Sequence, residues 1–285
     1  AQAYWKGSFT HGNKSNHPDT GLLTYFLPLQ SGGHKAWASE TEDFFCCHGS
    51  LVQANAAHNQ GIYYHDETRF AICQYLSSKT SAQMDGADVC ITQKIDALTG
   101  SRNISSVQDY SQKINAVAAE YPHNPKLLVS VFDVSCSKKA SFKLLFRIPW
   151  WCFGEYTLLV DGKEETAETN SEGFIALDRA WEHNTIELRF NKPLSSVTLR
   201  DKPDMVALMD GPVVLAGLCD EERVLYGDPK HPEDILVADN EREWSLWQNT
   251  YRTTGQDRGI RFVPLYQVGY EAYSVYFPIR QSSLT

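Results

Sequence analysis

Beyond residue 60 the chain is cut into short runs of β-branched and aromatic residues, each bounded by Gly, Pro, Asn or Asp. That pattern leaves stacked β-sheets as the natural way to bury its apolar side chains. "GIYYHD" and "RFAICQYL" flank a short polar turn and are expected to pair as a hairpin. Further strands are expected at "DVCITQKID", "KLLVSVFDV", "SFKLLFRIP", "YTLLVDG", "GFIALD", "TIELRF", "MVALMDGPVVLAG" and "AYSVYFPI". "LVDGKEE" carries an Asp-Gly turn, and its partner strand is expected after "NSEG". Residues 61 to 285 therefore read as two or more antiparallel layers arranged as sandwiches. "SCSKKASFK" reads as a solvated strand end.

The first 60 residues differ in kind. They are rich in Gly, His and Asn and hold one good helix candidate, Ser50 to Asn59. Ser50 is placed to cap it, Leu51, Ala54 and Ala57 fall near one face, and Gly61 supplies the stop. This stretch has too few apolar faces to fold as a domain, so it reads as the last helix or two of something larger. A softer join lies at 195 to 204, where "KPLSSVTLRDKPD" collects prolines and polar residues. The expected organisation is thus 1–60, a first β-sandwich over 61–200, and a second β region over 201–285. The second region would pack on the first or back on the element ahead of it. Residues 219 to 258 read as long loops.

Charge and composition exclude some functions. A net charge of -9 and a pI near 5.5 argue against nucleic-acid binding, which needs a basic face. No apolar run approaches the roughly 18–20 residues of a membrane span, and the N-terminus has no apolar signal-peptide core. Seven cysteines are scattered without a small-domain disulfide framework. Cys73, Cys90, Cys136, Cys152 and Cys219 read as buried small hydrophobes. A reducing compartment, the cytoplasm, is the expected setting.

Two cysteines stand apart. "TEDFFCCHGSLVQAN" sets Cys46 and Cys47 side by side at the entrance to the expected helix, whose N-terminal dipole favours a thiolate. Neighbours rarely pair with each other, because a disulfide between them is strained. Both thiolates can reach one tetrahedral zinc, one can act as a nucleophile, or both can simply pack. Glu40, Glu42 and His48 are local ligand candidates, although the two glutamates suit a solvated acidic turn and His48 a cap. Trp150 and Trp151 are expected in a core or domain contact, and Trp181 in "RAWEHN" as a turn anchor. His11, His17, His34, His58 and His65 lack metal-ligand spacing and read as surface or capping residues, with His34 in a Gly-rich loop near the cysteines.

"HPDTGLLTYFLPLQSGGHKAWASETEDFFCCHGSLVQANAAHNQGIYYHD" resembles the segment around the catalytic cysteine of glycoside hydrolase family 127 and its relatives, including family 146, the beta-L-arabinofuranosidase group. "FRIPWW", "LLVDGKEE", "GFIALDRAWEHNTIELRF" and "MVALMDGPVVLAGL" follow in that family's order. The resemblance covers roughly residues 17 to 220. It implies a mostly β fold, with antiparallel β-sandwich domains preceded by the last helices of an (α/α)6 toroid. It implies a zinc ion held by one glutamate and three cysteines. Cys46 would be both nucleophile and zinc thiolate, Cys47 a second thiolate, and Tyr25 the tyrosine near the nucleophile. The implied activity is that of a retaining beta-L-arabinofuranosidase acting on arabinose-containing oligosaccharides or glycosides.

One departure bears on activity. The family's acid/base glutamate and its Glu-x-Cys zinc pair lie well upstream of the adjacent cysteines, and nothing in residues 1–45 matches them. The chain therefore reads as a C-terminal portion, expected to be inactive or nearly so alone, with the missing toroid or a second copy as its partner. The alternative is a non-catalytic β-sandwich fragment that binds carbohydrate or a partner chain. No nucleic acid or membrane is expected as a partner.

Overall fold

The structure is a computed structural model, and it describes residues 17, 20, 22–43, 45, 53, 57–95, 127–239 and 250–281. The expected helix at Ser50 to Asn59 lies largely outside the described residues. Only a 3-10 turn at His58–Gly61 is described at its end. The described fold is mostly β, with mixed sheets. The chain divides into two compact units: residues 54–100 with 126–192, and residues 1–53 with 101–125 and 193–285.

The first of these is built on β1 (Tyr63–His65), β2 (Arg69–Ile72), β3 (Ser78–Met84), β4 (Ala87–Ile95) and β5 (Leu127–Arg147). It continues with β6 (Tyr156–Val160), β7 (Lys163–Glu165) and β8 (Phe174–Asn191). β1 and β2 form the expected hairpin, with Tyr63 opposite Ile72. β4 buries every second residue, as a strand with one dry face must. Most pairings are antiparallel, but β2 runs parallel to β5.

Two expected strand pairs prove to be single strands. "KLLVSVFDV" and "SFKLLFRIP" are halves of β5, and "GFIALD" and "TIELRF" are halves of β8. The two long strands pair along their lengths except at one place. Ser135 faces His183 and Ala140 faces Trp181, so residues 136–139 stand opposite Glu182 alone. An insertion of this kind bends a strand and sharpens its twist. The rings of Phe132 and Phe146 measure how far: fourteen residues of straight strand would separate them by roughly 46 Å, yet their centroids are 5.0 Å apart. The sheet therefore folds over at the bulge and closes on its own core, which is how one sheet makes both layers of a sandwich.

"SCSKKASFK" is thus the solvated middle of a strand, and "RAWEHN" is a bend in β8 rather than a hairpin turn. Trp181 sits there fully buried, and its indole N–H donates to the Phe142 carbonyl at 2.9 Å. The Asp-Gly turn pairs sooner than expected. Asp161 and Gly162, both at positive φ, link β6 directly to β7, while β6 also pairs with β8 beyond "NSEG".

The other unit contains β9 (Leu194–Thr198), β10 (Met205–Asp210), β11 (Val213–Leu218), β12 (Leu225–Tyr226) and β13 (Leu236–Ala238). It ends with β14 (Tyr251–Thr253), β15 (Arg261–Pro264), β16 (Tyr273–Ser274) and β17 (Tyr276–Arg280). β10, β11 and β15 read as continuous apolar runs because both faces of the sheet are covered. Leu208, Leu215 and Phe262 enter one cluster with Ile235 and Phe277. Their neighbours Ala207, Ala216 and Val263 enter another with Val268 and Tyr273. β12 runs parallel to β17. Among the described residues, no helix is long and apolar enough to cross a membrane.

Candidate functional site

The segment leading to the paired cysteines is held on the second unit by its own backbone and a few buried side chains. Gly33 bridges to Tyr273, whose N–H donates to the Gly33 carbonyl at 3.0 Å. Gly32 N–H donates to Ser274 Oγ at 3.1 Å. Gly32 has φ of 70°, and a Cβ there would lie 2.3 Å from the Asp220 carbonyl oxygen, so only glycine allows this approach. Lys35 is 4% exposed, and its ammonium donates to the carbonyls of Leu265 and Val268, each at 2.8 Å. The same ammonium lies 5.4 Å from the Trp37 ring centroid, within cation–π range. The Trp37 indole N–H donates to the Gly269 carbonyl at 3.0 Å.

Two histidines flank this anchor. His34 is exposed, and its Nδ1 donates to the Tyr270 carbonyl at 3.0 Å, which places a proton on that nitrogen. His17, expected at the surface, is instead buried at 3% exposure. It lies edge-on to Trp37 at 4.9 Å and tilted against Tyr270 at 4.5 Å, and its Nδ1 accepts the Thr20 N–H at 3.2 Å. The aromatic shelter of Trp37 and Tyr270 explains why a histidine is dry there.

Tyr25 is a partly exposed residue on this segment, 37% accessible. Its ring stacks on Phe45 with centroids 4.7 Å apart and 21° between planes, and Phe26 meets it edge-on at 4.7 Å. Phe45 is the residue before Cys46 in the chain. Cys46, Cys47 and His48 lie outside the described residues. Glu40 and Glu42 lie on an exposed turn closed by Ser39 and Asp43. Asp43 accepts the Ser39 N–H at 2.6 Å, and Ser39 Oγ accepts the N–H groups of Glu42 and Asp43. Hydrogen bonding from the Ser39 backbone N–H first, and from its side chain second, holds the Asp43 carboxyl below its ordinary range.

Four of the described thiols have the wrong electrostatics for nucleophiles. Burial pushes Cys73, Cys136, Cys152 and Cys219 upward in pKa, which opposes the thiolate. Among the described residues, no group of three or more His, Cys, Asp and Glu is placed to hold a metal. A zinc ion suits the soft sulfur donors of Cys46 and Cys47 in chemistry. Trp37 and Lys35, which position the segment, carry no local sequence signal beyond an aromatic next to a Gly-rich loop.

Residues 70–192 match the family model described as the beta-L-arabinofuranosidase GH127 middle domain. The fold is similar to a GH127 beta-L-arabinofuranosidase from Geobacillus stearothermophilus T6, with a TM-score of 0.64 and 17% identity over 94% of this chain and 44% of that one. It is equally similar to a GH127 beta-arabinofuranosidase, with a TM-score of 0.64 and 17% identity over 98% of this chain and 47% of that one. A third similar structure is a glycoside hydrolase, at 0.61 and 15% identity over 93% of this chain and 46% of that one. At such identities the likeness establishes the fold. The chain spans less than half the length of these structures. A search of curated proteins finds no match.

Proposed function

We propose that this chain, which belongs through residues 70–192 to the beta-L-arabinofuranosidase family GH127, is the C-terminal part of a retaining glycosidase with Cys46 as nucleophile. The observation that carries the reading is the stacking of Tyr25 on Phe45, which ties the tyrosine of "TYFLPL" to the residue immediately before Cys46. In this reading the Cys46 thiolate attacks the anomeric carbon of an arabinofuranoside. The sulfur–carbon bond forms as the glycosidic carbon–oxygen bond breaks, and the departing oxygen takes a proton from a general acid. Water then displaces the sulfur and gives its proton to the same acid/base group, which restores the starting configuration. Tyr25 supports the sulfur with its hydroxyl.

Zinc, held by Cys46 and Cys47, would keep both sulfurs deprotonated at neutral pH. The general acid has no counterpart in residues 1–45, so the 285-residue chain is read as inactive by itself and arabinose-containing glycosides as substrates of the longer protein. A reducing compartment suits the free cysteines at 73, 90, 136, 152 and 219.

The test is Cys46→Ser in the full-length protein with an aryl beta-L-arabinofuranoside. Loss of a nucleophile is expected to lower kcat by roughly a thousandfold or more. Intact-mass analysis of the parent during turnover should show one added pentosyl group, absent in the variant. Activity retained by Cys46→Ser would overturn the assignment.

A further inference from the structure

The turn between β5 and β6 carries two aromatic rings that the fold leaves outside. Trp150 is 60% exposed and Phe153 is 63% exposed, whereas Trp151 and Cys152 between them are buried. Trp151 does the structural work: its ring meets Phe190 of the core at 6.1 Å. Trp150, expected with it in a core or domain contact, is not in the core. Trp150 opens the 3-10 turn Trp150–Cys152 and Phe153 caps it, so both exposed rings stand on one short loop.

The turn is stiff. Cys152 N–H donates to the Pro149 carbonyl at 3.3 Å, Phe153 N–H to Trp150 at 3.2 Å, and Glu155 N–H to Cys152 at 2.8 Å. The Cys152 thiol adds a second bond to Pro149. Phe153 is also strained, with φ of 51°. The other non-glycine residues at positive φ among those described are Asp85 and Asp161; like Phe153 each precedes a glycine at positive φ, but aspartate, unlike phenylalanine, is common there. A phenylalanine in that conformation is disfavoured relative to the right-handed region, because its Cβ crowds the following carbonyl. Glycine would fit the backbone better, and the side chain buries little in return. Strain kept at an exposed aromatic points to use of the ring.

We infer that Trp150 and Phe153 form a saccharide-binding platform, a non-catalytic site for sugar rings carried on a polysaccharide chain. A sugar ring presents a C–H face that packs on an aromatic plane and hydroxyls at its edge that need polar partners. The polar edge is present. Glu155 follows the turn, is exposed, and receives a hydrogen bond from the Asn191 side-chain amide at the end of β8. Gly154 between ring and carboxylate leaves open space where a Cβ would stand. Two exposed rings on one hydrogen-bonded loop and a carboxylate–amide pair can hold a sugar weakly and without a deep pocket. The choice of arabinose-bearing polymers as probe rests on the glycosidase reading above.

The experiment is affinity electrophoresis of the full chain through gels containing soluble arabinan, arabinoxylan or arabinogalactan. At least one polymer is expected to retard the parent. Trp150→Ala with Phe153→Ala should weaken that retardation about tenfold, the equivalent of about 1.4 kcal/mol, while Trp150→Phe keeps most of it. Circular dichroism and thermal melting of the double variant should match the parent, because both rings are exposed. A parent retarded by none of the three polymers, or a double variant retarded as strongly as the parent, overturns the platform. So does a concentration-dependent dimer, seen by sedimentation, that the double substitution abolishes. Cleavage of an aryl beta-L-arabinofuranoside by the longer protein is read separately. Its loss without loss of retardation would count against the glycosidase reading alone.

Discussion

Tyr273 shows what a single buried group does to the pH limits of this fold. The residue is fully buried in β16, and its hydroxyl oxygen finds no hydrogen-bond partner. Burial pushes the phenol up to about 12. Tyr251 and Tyr266 move up as well, by burial first and by the nearby Asp210 carboxylate second. The unfolded phenol ionises near about pH 10. A group whose pKa is raised on folding adds stability in full below its unfolded value and loses it as pH rises through the folded one. The stability of the unit holding residues 193–285 is therefore expected to fall from about pH 10 towards about 12. Urea midpoints measured across that range check it, and a midpoint that stays level would refute the burial of these phenols. Little of this was legible beforehand. Lys35 looks like any loop lysine in "GGHKAW", yet it is dry because the carbonyls of Leu265 and Val268, 230 and 233 residues away, converge on it.

At the scale of elements, the bulge in β5 decides the fold of residues 54–192. Trp181 is its pivot, buried beside Phe142 with the Arg179 guanidinium 5.5 Å from its ring. Trp181→Ala is expected to destabilise the protein by about 3–5 kcal/mol, the usual range for emptying a large aromatic site. Trp181→Phe should lose less but leave the Phe142 carbonyl without its donor, at about 1–3 kcal/mol. Chemical denaturation of the two variants gives the comparison, and a Trp181→Phe variant as stable as the parent would mean the indole N–H contributes nothing. The strands themselves were readable from their apolar runs. Their fusion was not, because "SCSKKAS" and "EHN" have the polarity of a turn. A bulge and a turn differ in the register across to the neighbouring strand, which no local window contains.

For the whole molecule, charge sets the dealings with other polymers. A net charge of -9 leaves no reason for polyanions to bind. The chain is expected to pass through a heparin column at about 50 mM salt without retention, since counterion release needs clustered Lys and Arg. Retention would reveal a basic face that the net balance hides. Tyr25 and Phe45 are described, whereas the cysteines that follow lie outside, and the similar solved structures are each more than twice as long as the matched part.

Alternation and turn chemistry settle the local character of this protein: which runs are strands, which Asp-Gly pairs turn the chain, and which apolar stretches are covered on both faces. The motif order was enough to mark the family resemblance, because it depends on residue types in sequence. Tertiary structure decided the rest. The fold-over of β5 and β8, the anchoring of Lys35 and Trp37, and the division of labour between Trp151 inside and Trp150 outside all depend on partners distant in the chain. Two adjacent tryptophans have the same local propensities, and only the packing of Phe190 against one of them separates a core residue from an exposed ring.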